Sequence, residues 1–210
     1  MFGPLSLLTT DALQFVMLVL GICLGLVTHN YVQARLALKL GNSTPKAFLT
    51  FDPFVHLNLF SLVLYLFLGL CTPRKIPLGE HHEKHQHEVW IWLAGPVVLL
   101  GVALFLLLLI RLQQVFLPAL DPAGHGLSLA SLGLVVHAII FLLPLPELDG
   151  GRALLAVTQG KFRQLLIRMW RLGVLFTYLI FFLLVYSGAT NQLAAPIYGL
   201  LRGWVNLLPF

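Results

Sequence analysis

Apolar residues fall in long runs separated by short polar segments, the pattern of a chain that crosses a bilayer several times. The first run, Leu13 to Leu26, reads on as a helix through Thr28-His29-Asn30-Tyr31-Val32-Gln33 to about Leu40, where Gly41-Asn42-Ser43-Thr44-Pro45 breaks it. After Phe51-Asp52-Pro53-Phe54-Val55-His56 comes Leu57 to Leu70, at ~14 residues short for a span that needs about 20 and so expected to be re-entrant. Residues Thr72 to Glu88 are polar and predict a loop. Trp90 and Trp92 mark an interface, and Ile91 to Ile110, containing Ala94-Gly95-Pro96, predicts the next span. A weakly charged connection, Arg111 to Gly126, leads to a span from Leu127 through Leu143. That span ends in Pro144-Leu145-Pro146-Glu147-Leu148-Asp149-Gly150-Gly151-Arg152. Leu172 to Tyr186 predicts another span, and the tail from Ala194 to Phe210 reads as an interfacial helix or a final span. The fold class expected is an all-α polytopic membrane protein with about four to six transmembrane helices and a short re-entrant segment. It forms one domain, residues 1–210, with no apparent internal repeat.

Composition strengthens this reading. With 59% apolar residues and a mean hydropathy of +0.91, the chain has too little polar surface for a water-soluble globule. A net charge of +5 and a pI near 9.5 would suggest nucleic acid in a soluble chain. Here the basic residues sit in segments between apolar runs, so charge in cytoplasmic loops explains them and no nucleic-acid partner is expected. Arg35, Lys39 and Lys46 follow the first span and only Asp11 precedes it; Arg152, Lys161, Arg163, Arg168 and Arg171 follow the fourth apolar run. The ends bearing His29 and Asp149 are therefore expected on the cytoplasmic side, in a bacterial-type inner membrane. A single crossing, at Trp90, then lies between them. Cys23 and Cys71 form no C-x-x-C pair and read as packing residues. The N-terminus lacks a basic n-region and a small-residue cleavage site, so no removed signal peptide is expected.

The candidate chemistry lies at the end of the first span. His29 and Gln33, at i and i+4, share one helix face, and such side chains at membrane depth cost a few kcal/mol unless they have a partner or a task. Taken together, His29, Leu40-Gly41-Asn42-Ser43-Thr44-Pro45-Lys46, Phe51 to His56, Ala94-Gly95-Pro96 and Leu143 to Arg152 resemble the site-2 protease family of intramembrane zinc metalloproteases, over roughly residues 20–160. Residues 161–210 then supply C-terminal helices. The resemblance implies a three-helix core and a zinc held by H-E-x-x-H and a later L-D-G, with His29 as the first ligand and Asp149 as the third.

The departures from that pattern are specific. Asn30 stands where the family's glutamate base belongs and Gln33 where its second histidine belongs, while Leu99 and Phe141 replace family asparagines thought to hold substrate backbone. Gln33 offers only a neutral amide oxygen to a metal. Asn30 cannot accept a proton from water, and loss of a general base costs ~10²- to 10⁴-fold in rate. The expectation is thus a catalytically inactive pseudoprotease, a structural or binding subunit with an integral-membrane protein partner and surrounding lipid, and no cofactor. The first alternative is an active intramembrane zinc protease with non-standard ligands, where His56 joins His29 and Asp149. The second is a cofactor-carrying subunit of an electron-transfer or photosynthetic complex, using His137 or the loop histidines His81, His82, His85 and His87.

Plainer roles stand beside these. His29, Asn30 and Gln33 read as polar links between helices, worth ~0.6 to 2 kcal/mol each. Asp149 reads as a partner for Arg152 at i+3. The loop histidines, interleaved with Glu80, Glu83, Lys84 and Glu88, read as a solvated face.

Overall fold

The computed structural model describes residues 3–78, 85–117, 121–145 and 147–208, without the side chains of His85, Gln86 and Val174. The helices in order are α1 (Leu5–Leu8), α2 (Ala12–Lys39), α3 (Pro53–His56), α4 (Leu59–Leu68), α5 (His85–Phe116), α6 (Asp121–Phe141), α7 (Asp149–Val157), α8 (Gly160–Arg171), α9 (Gly173–Tyr186) and α10 (Ala189–Asn206). A 3₁₀ turn, Thr44–Phe48, follows α2. The described residues form no strand, only an isolated bridge between Leu57 and Pro73.

Three of these helices, α2, α5 and α6, are long and apolar enough to cross a bilayer, or four spans if α8 and α9, bent by 88°, count as one. The protein is a helical, multi-pass membrane protein. The expected range of four to six is met only at its lower end, because α10 carries too many polar positions to qualify and α4 has only 10 residues. The expected boundaries also move. α5 begins at His85, inside the segment read as a loop, and runs to Phe116; α6 begins at Asp121, before Leu127, and ends at Phe141. α5 reaches past its apolar run because a helix of 32 residues spans ~48 Å, well beyond a hydrocarbon core of ~30 Å, whereas α6, with 21 residues, is extended only at its start.

α2, α5 and α6 pack on one another and form the centre of the molecule. Lipid-like surroundings give helices little hydrophobic reason to associate, so small residues that allow close backbone approach matter. A β-carbon at Gly21 would lie 2.5 Å from that of Ala130, and one at Gly25 would collide with Leu134. These contacts run α2 alongside α6. Ser131 adds a polar link, its Oγ donating to the Ala103 carbonyl of α5 at 2.9 Å.

The Leu57 to Leu70 segment turns back rather than crossing. Asn58 Oδ1 caps the start of α4 through the Phe60 amide at 3.1 Å, and Gly69, at φ 76°, closes its end in the left-handed conformation that glycine adopts without penalty. The chain then returns so that Leu57 faces Pro73 and the Arg74 amide donates to the His56 carbonyl at 2.6 Å. Entry and exit thus lie at one level. His137 anchors the returning segment: its Nε2 accepts from the Cys71 amide at 3.1 Å while Nδ1 donates to the Gly133 carbonyl at 2.6 Å.

Candidate active site

A cleft with about 520 Å³ of empty space opens beside the far end of α2. Helix α2 supplies His29, Asn30 and Gln33, the returning segment supplies Thr72 to Ile76, and the start of α7 supplies Asp149 and Arg152. Trp92, Phe141 and Tyr178 provide apolar and aromatic wall. The three polar residues of α2 are each 2% exposed or less, so every one of their polar atoms needs a partner.

Gly95-Pro96 explains how Gln33 finds its partner. In a regular helix the Trp92 carbonyl would accept from the amide four residues on, but that residue is Pro96, which has no N–H. Gln33 Nε2 donates to this freed carbonyl at 3.3 Å. Close approach is possible because residue 95 is glycine; a β-carbon there would collide with both His29 Nε2 and Gln33 Nε2. The pair that marked the motif in sequence therefore seats α5 directly over the polar face of α2.

Asn30 Nδ2 donates to the Arg74 carbonyl at 2.8 Å, and this orients its amide so that Oδ1 faces His29 Nδ1 at 3.0 Å. An amide oxygen only accepts, so Nδ1 carries hydrogen and donates. The other ring nitrogen, Nε2, lies 2.7 Å from Asp149 Oδ2. A hydrogen bond between these two atoms requires a proton on one of them. Asp149 thus pairs with His29, not chiefly with Arg152 as its i+3 spacing predicted. Phe141 meets the imidazole edge-on, 5.3 Å between centroids.

Arg152 instead lies over the Trp92 ring, its Cζ 4.5 Å from the centroid. Its Nε is buried and has no hydrogen-bond partner among the described residues. Lys75 and Glu147 form an ion pair that ties the returning segment to the turn before α7. Tyr178 of α9 reaches the Thr72 hydroxyl at 3.2 Å. Neither contact was visible in the sequence, since each joins groups from segments remote in the chain.

The residues present do not fit a catalytic zinc. Such a site takes three protein ligands and an open position, yet the described residues contain no group of three His, Cys, Asp or Glu able to hold a metal. Gln33 is committed to Trp92. His56, expected to move toward the cleft, is buried elsewhere with its Nε2 on the Thr50 carbonyl at 2.7 Å. Burial pushes its imidazole below the ordinary range, against the upward pull of that carbonyl and of Asp52.

Other sequence candidates separate from the site. Leu99 is fully buried in the main core and does not line the cleft, so of the two replaced asparagine positions only Phe141 does. Both ring nitrogens of His137 are occupied as described, which leaves none for a haem or pigment. His81 and His82 lie outside the described residues, and His85 and His87 belong to the first turn of α5.

No model of a known protein family matches the chain, and no solved structure matches it. The chain is 30% identical, over 162 residues covering 72% of its length and 70% of the relative's, to "Putative zinc metalloprotease YwhC" of Bacillus subtilis (strain 168). This likeness overturns the expectation that the chain is not an enzyme, because the relative's name points toward a protease. Membrane helices and the relationship together make it a protease-like membrane protein. The chain belongs to the metalloprotease-like family that includes this relative.

Proposed function

We propose that the chain hydrolyses peptide bonds of a membrane-spanning polypeptide in this cleft, as an unorthodox member of the site-2 protease family in which His29 and Asp149 carry the proton transfers. The buried 2.7 Å contact between them supports this reading most strongly. The pair shares one proton and retains one basic site. When a substrate carbonyl and a water occupy the cleft, the basic site takes a proton from the water as its oxygen attacks the carbonyl carbon. The C–N bond then breaks, the leaving nitrogen receives a proton from the pair, and the products are a carboxyl and an amine. Arg152, with a buried and unpartnered Nε among the described residues, donates to the carbonyl oxygen as charge grows there.

Proton transfer by a positioned side chain contributes ~10²–10⁴-fold, so the protease is slow. No step requires a metal. Among the described residues, Arg35, Lys39, Lys75 and Arg152 lie toward the His29 end, against Arg111 and Arg202 at the other, which supports a cytoplasmic placement of the cleft in a bacterial-type inner membrane. The partner is then an integral-membrane protein whose span unwinds into the cleft.

Purified full-length protein in lipid nanodiscs, mixed with membrane-spanning peptides and followed by mass spectrometry, tests this. Cleavage should occur, fall by more than 100-fold in His29→Gln and Asp149→Asn ( sets this scale), and persist with a zinc chelator. No cleavage by the unaltered protein, or equal cleavage by both variants, refutes it.

A further inference from the structure

A second polar pocket, of about 600 Å³, lies between α5, α6 and α10. It belongs to the opposite end of the bundle: Asp121, at its rim, begins α6, whereas Phe141 at the end of α6 touches His29. Since α5 and α6 are both long enough to span, the place where one ends and the other begins is a membrane surface.

Two arginines from remote parts of the chain, Arg111 of α5 and Arg202 of α10, line this pocket. Neither forms an ion pair among the described residues, and Arg111 Nε is buried without a hydrogen-bond partner. Asp121, the pocket's carboxylate, is instead 4.0 Å from His125 at i+4, with both side chains about two-thirds exposed at 67% and 66%. Ser128 Oγ and Tyr198 Oη, 2.8 Å apart, brace α6 against α10 across the floor. Two guanidiniums lining one pocket, that of Arg111 with a buried Nε lacking a partner among the described residues and that of Arg202 exposed at the surface, suit a phosphate, which arginine recognises through paired N–H donors. The neighbouring apolar side chains Leu112, Leu200 and Trp204 are exposed, as acyl chains require.

We propose that Arg111 and Arg202 bind the phosphate of an anionic phospholipid headgroup in the pocket between α5, α6 and α10. The site is independent of the cleft chemistry, and lipid bound there holds α10 against the spanning pair.

Native mass spectrometry of the full chain, purified in mild detergent and titrated with phosphatidylglycerol or phosphatidylcholine, tests the proposal. Phosphatidylglycerol should be retained and phosphatidylcholine not, with retention reduced at least about tenfold in the double variant Arg111→Gln/Arg202→Gln, the effect of losing charge-assisted phosphate contacts. Arg163→Gln/Arg168→Gln on the basic α8 should leave retention unchanged. Inorganic phosphate alone distinguishes the source: thermal protection of the unaltered protein but not of the Arg111/Arg202 variant, with no lipid retained, supports the site with a free phosphate as occupant. Equal retention of both lipids, equal loss in the α8 variant, or retention and protection unaffected by Arg111→Gln/Arg202→Gln overturns it. Binding is read on correctly folded protein only, as judged by helical circular dichroism.

Discussion

The two polar pockets sit at opposite ends of the same helices; each holds an arginine Nε buried without a partner among the described residues, Arg152 in one and Arg111 in the other, and they differ in the polar groups beside it. At the His29 end, imidazole, carboxylate and both amides are interlocked: Asp149 on His29, Asn30 on the Arg74 carbonyl, Gln33 on Trp92. At the Arg111 end, two guanidiniums face a space with no carboxylate bound to them among the described residues. Saturated groups in a low-dielectric site are positioned in advance and change little when a substrate arrives, as proton transfer needs. Unsaturated donors wait for a ligand to complete them. On the two proposals above, the first pocket serves chemistry and the second holding.

If that contrast is right, substitutions at the saturated end should cost stability as well as function. The largest loss is expected for Asp149→Ala, which strands His29; with the side chains only 2% and 9% exposed, breaking such a pair costs about 3–5 kcal/mol, measurable as a fall in thermal midpoint in detergent. Gly95→Ala should follow at about 1–3 kcal/mol, the scale of overpacking, because its β-carbon meets His29 and Gln33; an unchanged midpoint would mean α5 does not seat as described. His137→Phe removes the acceptor for the Cys71 amide and should cost about 1–2 kcal/mol, with faster hydrogen exchange in the returning segment near Cys71. Lys75→Ala should cost at most about 1 kcal/mol, since that lysine is 54% exposed. The smallest effect concerns pH. His56 has a folded value below its unfolded one, so its contribution is complete above the ordinary imidazole range near pH 6.5 and declines as pH falls through the folded value. A His56→Gln variant should show a flatter acid limb in thermal midpoint against pH.

The sequence made the membrane class, the order of α2, α5 and α6 and the re-entrant turn legible, because apolar run length alone carries them. Helix ends were misplaced where polar residues continue a helix out of the bilayer, as at His85 and Asp121. Of the site, His29 and Asp149 were legible through their motifs, but their direct contact was not. Asn30 and Gln33 looked like losses when set against the family pattern. Each has a defined partner instead, and the signal that could have found one of them was Pro96, four residues beyond Trp92, whose missing N–H frees the carbonyl that Gln33 takes. The Lys75–Glu147 pair and the Arg111/Arg202 pocket leave no periodic trace, because each joins segments brought together only by packing.

The central claim is that His29 and Asp149 work as a proton-sharing pair rather than as zinc ligands. Metal analysis and peptide cleavage on one purified sample test it most directly. The account predicts cleavage by protein containing far less than one zinc per chain, abolished by His29→Gln. Stoichiometric zinc that disappears in His29→Gln and Asp149→Asn, together with cleavage that stops on chelation and returns on adding zinc, would contradict it.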